Sequence, residues 1–313
     1  MNVILFASGA FAIPSLDAIA AHHHIPLIVT QPDRPAGRGL QLTPNPLAAH
    51  AATHYPSISL LKSANASAHA DLLTIRDTHA DAFVVIAFGQ KLSPDLLRDR
   101  FAINLHASLL PRWRGAAPIH HAILAGDTTT GNSVITLADR MDAGLILAQA
   151  SRPIAPTITT SELHDALARE GAPLILETLA NFAADTLSAH TQNEKLVTLA
   201  PKISRDLAHI DPATQSADHC RRIINALSPR PGVAATLGPH PLKLLRAASF
   251  PSDSQSPPGS LINPAQGLIA CADHSALQLL DVQPPGKSPM PWNDFARGRA
   301  LSPDLILTCA QPS

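Results

Sequence analysis

The sequence predicts an α/β protein, with a doubly wound, mostly parallel sheet followed by a second, β-rich unit. Short runs rich in β-branched and aromatic residues occur at 2 to 8 (NVILFAS), 25 to 30 (IPLIVT), 81 to 88 (DAFVVIAF) and 101 to 107 (FAINLHA). They alternate with Ala/Leu-rich segments near 13 to 22, 44 to 54 and 65 to 78. That alternation builds βαβ units, whose parallel strands are covered by helices on both faces. After a helical stretch near 161 to 186, residues 188 to 206 turn polar, as a connection does. A helix at 213 to 227 then precedes short apolar runs, from GVAATL to ALQLLDVQ, broken by Pro, Gly and Ser. Several short strands with turn signals form a small barrel or sandwich. The expected domains are 1 to 187 and 207 to 313, joined by 188 to 206.

Composition bounds the function. A chain of 313 residues suits about two domains at ~100 to 200 residues each. Its 45% hydrophobic residues are ample for two cores. With 15% charged residues and a net charge of −1, no global basic field marks a polyanion binder and no acidic excess marks a disordered chain. Cys220, Cys271 and Cys309 are odd in number and lack CxxC spacing, which suits a reducing compartment and argues against zinc. The opening MNVILFASGAFA has no Lys or Arg before its apolar run, so it reads as a first strand, not a signal peptide. No run approaches the ~18 apolar residues of a membrane span. A cytoplasmic protein with no membrane contact is expected, as a monomer by default.

The elements differ in what they can carry. The first βα turn, SGAFAIP, has one glycine where a dinucleotide fingerprint needs three, so the sheet does not read as a nicotinamide site. NSVITLADRMDAGLILAQ at 132 to 149 reads as two strands around a polar turn holding Asp139, Arg140, Asp142 and Gly144. INLHASLLPRWRG at 103 to 115 places Asn104, His106 and Ser108 at every second position of a strand, hence on one face, with Ile103, Leu105 and Ala107 on the other. An amide and an imidazole aimed at one point can stabilise a developing oxyanion, and a carboxylate such as Asp142 can fix the imidazole tautomer. The competing reading makes them satisfied interior polar groups. Among the 16 histidines, His22 to His24 are consecutive, and HAATH spaces His50 and His54 by four. HAATH lacks the glutamate of a zinc protease helix, and no third ligand is evident, so no metal is expected.

Asn104 and His106, SLLP at 108 to 111, RWRGAAP at 112 to 118 and MDAG at 141 to 144 together resemble the catalytic segment of the 10-formyltetrahydrofolate-dependent formyltransferase family. QPDRPAGRG at 31 to 39 and LLPRWRGAAPI resemble its methionyl-tRNA formyltransferase branch, and LVTLAPKIS, PLKLLRA and LQLLDVQPPGKSPM extend the likeness along the chain. The resemblance implies a Rossmann-like formyltransferase domain with a C-terminal barrel resembling an oligonucleotide-binding fold. It implies formyl transfer from the folate N10 to the α-amino group of methionine on initiator tRNA, with 10-formyltetrahydrofolate as co-substrate and no metal. Carried onto matching positions, Asn104 and His106 serve the oxyanion and proton transfer, and Asp142 supports His106. The folate pocket falls on Phe88, Gly89, Leu92, Ser108, Leu109, Leu110, Pro111 and Asp139. The tRNA falls on Arg34 and Arg38 of a long loop, 31 to 43, and on Arg222, Lys243 and Lys287 of the tail.

Leu40 and Gln41 stand where relatives often carry lysines, which implies a lighter electrostatic grip. SGA before Phe11 departs from the family's Gly-Thr-Pro turn. The rival readings are a formyltransferase acting on a small amine such as a nucleotide sugar, a formyltetrahydrofolate hydrolase, and a folate- or RNA-binding protein without catalysis.

Overall fold

The computed structural model describes residues 1–36, 39–303 and 305–309. The chain divides into two compact units. The first comprises residues 1–114, 131–151 and 164–198, and the second comprises 115–130, 152–163 and 199–313. Within the polar segment 188–206, residues up to Thr198 therefore group with the first unit and those from Leu199 with the second.

The first unit is organised by a seven-stranded sheet. Its order is Ile146–Pro153, Thr129–Thr136, Phe101–His106, Ala82–Ile86, Asn2–Ala7, His24–Thr30, Ser59–Lys62. Neighbours from Phe101–His106 to Ser59–Lys62 run parallel, and Thr129–Thr136 joins Phe101–His106 antiparallel. Asn2–Ala7 and Ala82–Ile86 are buried almost throughout, as central parallel strands with helices on both faces must be. The strand order reverses at Asn2–Ala7: the chain adds strands to one side of it, then crosses to Ala82–Ile86 on the other. Ligands of such sheets sit at the strand C-terminal ends beside that reversal. Residues 7–9, 86–89 and 106 occupy those ends here.

Several elements differ from the sequence reading. Within residues 31–43, read as a loop, Arg34–Ala36 pairs antiparallel with Gln41–Thr43. Leu40 and Leu42 there are more than two-thirds exposed. Pro118–Ala125 is a helix, with Pro118 at its first turn and Gly126 closing it at φ 75°. The strand bearing Asn104 ends at His106 and does not continue to 107 or 108. Opposite the Asn104 face, Leu105 is covered by the helix Thr160–Ala183 at Gly171, where an added Cβ would fall 2.5 Å from Leu105 Cδ2.

The second unit carries a barrel-like antiparallel sheet, in the order Leu261–Asn263, Leu268–Cys271, Ser275–Gln283, His240–Pro251, Val233–Leu237, Leu307–Thr308. A bridge from Ser260 to Ile306 brings its first and last strands together. Ala217–Ala226 is an amphipathic helix that buries Cys220, Ile223 and Ile224 in the barrel core with Trp292 and Phe295. The three cysteines lie in or against that core as free thiols, and burial pushes Cys309 up to about 11.

The strand His240–Pro251 changes register between Leu244 and Ala247, which breaks the ladder there. Asn225, fully buried on the helix, repairs the break: its Nδ2 donates to the Ala247 carbonyl at 3.0 Å, and its Oδ1 accepts from the Ala247 N–H at 2.9 Å. A buried polar group without a partner costs ~1–3 kcal/mol. Asn225→Ala strands two of them, so urea unfolding should show a loss of roughly 2–4 kcal/mol. A change under ~0.5 kcal/mol would mean that water replaces the amide.

Candidate active site

The end of the Phe101–His106 strand carries the groups that the sequence pattern singles out. Asn104 and His106 project to one face of the sheet, since they are two residues apart in a continuous strand. The His106 side chain is 7% exposed and that of Asp142 is 13% exposed, and His106 Nδ1 lies 3.7 Å from Asp142 Oδ2. At the other ring nitrogen, His106 Nε2 is 2.8 Å from the Trp113 carbonyl oxygen. A carbonyl can only accept, so Nε2 carries a proton and Nδ1 is the nitrogen turned towards the carboxylate.

Both partners of the ring come from loops with positive φ. Trp113 sits at φ 64° and Asp142 at φ 54°. Asp tolerates that left-handed region better than most residues. Gly144, two residues on, answers a different constraint. A Cβ there would lie 1.7 Å from the Thr136 carbonyl oxygen, so only glycine lets the loop close against the strand Thr129–Thr136. The closure is sealed by Thr136 N–H donating to the Leu145 carbonyl and Leu145 N–H donating to Thr136 Oγ1, both at 2.9 Å.

Asn104 is half-buried, and among the described residues no hydrogen bond engages its side-chain amide. Its two N–H groups remain for something that enters from solvent. Ser108 does not share that face: it is fully buried, and its Oγ donates to the Arg112 carbonyl at 2.6 Å. The strand has ended by then, and the SLLPR segment is already turning. The turn is held by Ser133 Oγ, which accepts from Leu110 N–H at 3.0 Å, and by Gln149 Nε2, which donates to the Leu110 carbonyl at 3.0 Å.

Two family models cover most of the chain, Formyl transferase over residues 1–179 and Formyl transferase, C-terminal domain over residues 202–300. This chain belongs to the formyl transferase family. It is 39% identical over 305 residues to the methionyl-tRNA formyltransferase of Methylococcus capsulatus, covering 96% of this chain and 98% of that protein. It is 40% identical over 312 residues to that of Thiobacillus denitrificans, covering 96% and 98%. In fold it is similar to an N-formyltransferase from Helicobacter canadensis in complex with folinic acid and dTDP-3-aminofucose, with a TM-score of 0.66, 14% identity, and coverage of 89% of this chain and 98% of that one.

The remaining residues expected at the site of this formyl transferase divide by what the fold leaves free. Phe88 and Leu92 point into the core, with the Phe88 ring 5.6 Å from that of Phe6. The Phe88 carbonyl accepts from Gln31 Nε2 at 2.9 Å. Gly89 follows at φ 77°, a conformation that favours glycine, and turns the chain away from the strand end. Leu110 is buried, Leu109 and Pro111 are half-buried and Asp139 is exposed.

Of the cationic residues, Arg34 is exposed and donates to Gln31 Oε1. Arg38 lies outside the described residues. Arg222 is engaged within the second unit by Asp218 and by the Ala125 carbonyl, while Lys243 Nζ donates to the Pro229 carbonyl at 2.9 Å. Lys287 is exposed. His50, from the HAATH pair, meets Asp17 at 2.7 Å.

The sequence reading missed a polar cluster on the segment that follows His190. Gln192 Nε2 donates to the carbonyls of Asp142 and Gly144, and buried Arg114 donates to Gln192 Oε1. Glu194 pairs with both Arg114 and Arg140, at 2.8 and 3.0 Å. The Arg114 guanidinium, with Arg140 beside it, holds the Glu194 carboxyl below its ordinary range.

Gly144→Ala should displace the Asp142 loop from the strand. Overpacking of this kind costs ~1–3 kcal/mol, so thermal unfolding should fall accordingly. A displacement near 1 Å should lower formyl transfer by about 100-fold. Parent-like stability and turnover together would show that the loop accommodates a methyl group.

Proposed function

We propose that this formyl transferase moves the formyl group of 10-formyltetrahydrofolate to the α-amino group of methionine esterified to initiator tRNA. The carrying observation is the near-complete coverage of both named methionyl-tRNA formyltransferases, at 39% and 40% identity. The paired His106 and Asp142 at a strand end supply chemistry that such a transfer needs.

The reaction is a displacement at a formamide-like carbon. The neutral amine attacks, the carbonyl oxygen gains negative charge, and the tetrahedral intermediate collapses as N10 of the folate leaves. The amine must lose one proton, and N10 must gain one. Asn104 supplies N–H groups to the oxyanion, and donors fixed in advance favour the transition state over the ground state. The His106–Asp142 pair handles the proton, with the ring held in one orientation by the Trp113 carbonyl at Nε2.

In this reading the folate lies over the strand ends, against the backbone of Phe88 and Gly89, the Leu92 region, Ser108 to Pro111 and the turn from Asp139 to Asp142. A flat pterin with several donors and acceptors suits main-chain groups between apolar walls. Residues 1–187 would then carry the chemistry, with 188–206 as connection and 207–313 holding tRNA. Arg34 on the hairpin and Arg38 in the sequence between its arms, with Arg222, Lys243 and Lys287, are the proposed phosphate contacts. Arg222, Lys243 and Arg34 already make intramolecular bonds, so Lys287 is the most available of the described cations.

The test supplies formyl-labelled folate with charged initiator tRNA, and in parallel with free methionine and with an amino sugar nucleotide. Label on the charged tRNA alone is expected. Label on a small amine, or formate released without acceptor, would contradict the reading. Within that assay, Asn104→Ala should lower kcat by about 100- to 1,000-fold while folate affinity changes little. Equal losses in kcat and in folate affinity would count against an oxyanion role.

A further inference from the structure

Asp142 sits on a loop that is closed against Thr136 beyond Gly144, with its own segment held less directly. Met141 beside it is 73% exposed, and Ala143 N–H makes only a 3.3 Å bond to the Arg140 carbonyl. The backbone at Asp142 is left-handed, at φ 54°. The distance from its carboxylate to His106 is therefore set by whatever grips that backbone from outside.

The grip is Gln192. Its side-chain Nε2 donates to the Asp142 carbonyl at 2.7 Å and to the Gly144 carbonyl at 2.8 Å, so both amide hydrogens are used on the loop. Its Oε1 accepts from Arg114 Nε at 3.0 Å and from Nη2 at 2.8 Å. The residue is 5% exposed. This arrangement fixes which way the amide faces: carbonyls only accept and a guanidinium only donates, so a flipped Gln192 would oppose like with like on both sides. Arg114 follows Trp113, whose carbonyl holds His106 Nε2. One amide thus ties the loop that supplies the carboxylate to the loop that supplies the carbonyl.

The same segment secures the second loop directly. Thr198 Oγ1 accepts from Trp113 N–H at 2.9 Å, and the Thr198 carbonyl accepts from Arg114 N–H at 3.0 Å. At its other end, His190 and Ile146 exchange a pair of 2.8 Å backbone bonds. Residues 190–198 form a strap across the site, anchored at both ends, with Gln192 as its inward contact.

We infer that Gln192 is a positioning residue for formyl transfer, acting through Asp142 by holding the carbonyls on either side of Ala143 and so setting the Asp142–His106 distance. This rests on the proposed role of Asp142. Gln192→Glu keeps the shape but removes both donors and faces the two carbonyls with oxygen. Gln192→Met keeps the volume, carries no charge and leaves the carbonyls without a partner, so it tests the same idea where the glutamate variant fails to fold.

The experiment is a double-mutant cycle with Asp142→Asn, reading kcat, donor affinity and the pH dependence of kcat for the full chain with charged initiator tRNA. The expected result is that Gln192→Met lowers kcat at least tenfold, leaves donor affinity within about twofold, and alters the pH profile as Asp142→Asn does. In the Asp142→Asn background the same substitution should cost less than threefold. Full additivity, or kcat within twofold of the parent in both Gln192 variants, would overturn the inference. If Asp142→Asn itself were as active as the parent, the role of Asp142 would fail instead, and the two failures are thereby told apart.

Discussion

The imidazole of His106 is hydrogen-bonded at one nitrogen and faces a carboxylate with the other, and the surrounding loops are arranged around that fact. A backbone carbonyl from Trp113 takes Nε2, and the Asp142 carboxylate faces Nδ1. An imidazole free to rotate would sample several tautomers and directions. Fixing it needs two loops of the right length and two left-handed backbone positions, Trp113 and Asp142. Strained positions of this kind persist where surrounding bonds over-determine them. Here the strap 190–198 supplies those bonds.

The sheet explains why such a site can stand at this position. Parallel strands end together on one edge, and the strand order reverses at Asn2–Ala7, where ligands of such sheets sit. His106 is the last residue of its strand, so it stands on a rigid element at the strand end. On the reverse side, the close approach of Gly171 to Leu105 fixes the strand against a helix. Asn104 is thus fixed from behind with its amide half-exposed, while the His106 ring is enclosed between Trp113 and Asp142. The fold is similar to that of the N-formyltransferase from Helicobacter canadensis at a TM-score of 0.66 with only 14% identity.

Much of this was legible from residues alone. Alternation in FAINLH separates Asn104 and His106 from Ile103 and Leu105, and the buried parallel strands show as unbroken apolar runs. The resemblance along the chain pointed to the family that the comparisons show. Other features were not readable. Ser108 fits the alternating pattern, but the strand stops before it, and strand ends are set by tertiary contacts such as those of Leu110 with Ser133 and Gln149. The paired segments Arg34–Ala36 and Gln41–Thr43 have three residues each, too short to show a period. The helix Pro118–Ala125 left two signals, Pro at its start and Gly just past its end, in a stretch to which the sequence reading assigned no element. Gln192 and Arg114 are 78 residues apart, and nothing local marks a glutamine in a polar connection as buried.

The central claim is most directly examined by nitrogen NMR of the His106 side chain in protein labelled at histidine, with the resonance assigned by its loss in His106→Asn. The account predicts a proton on Nε2 that exchanges slowly with solvent, and an Nδ1 signal that moves when Asp142 is replaced by Asn. A ring protonated at Nδ1 alone, with a bare Nε2 and no response to residue 142, would contradict it.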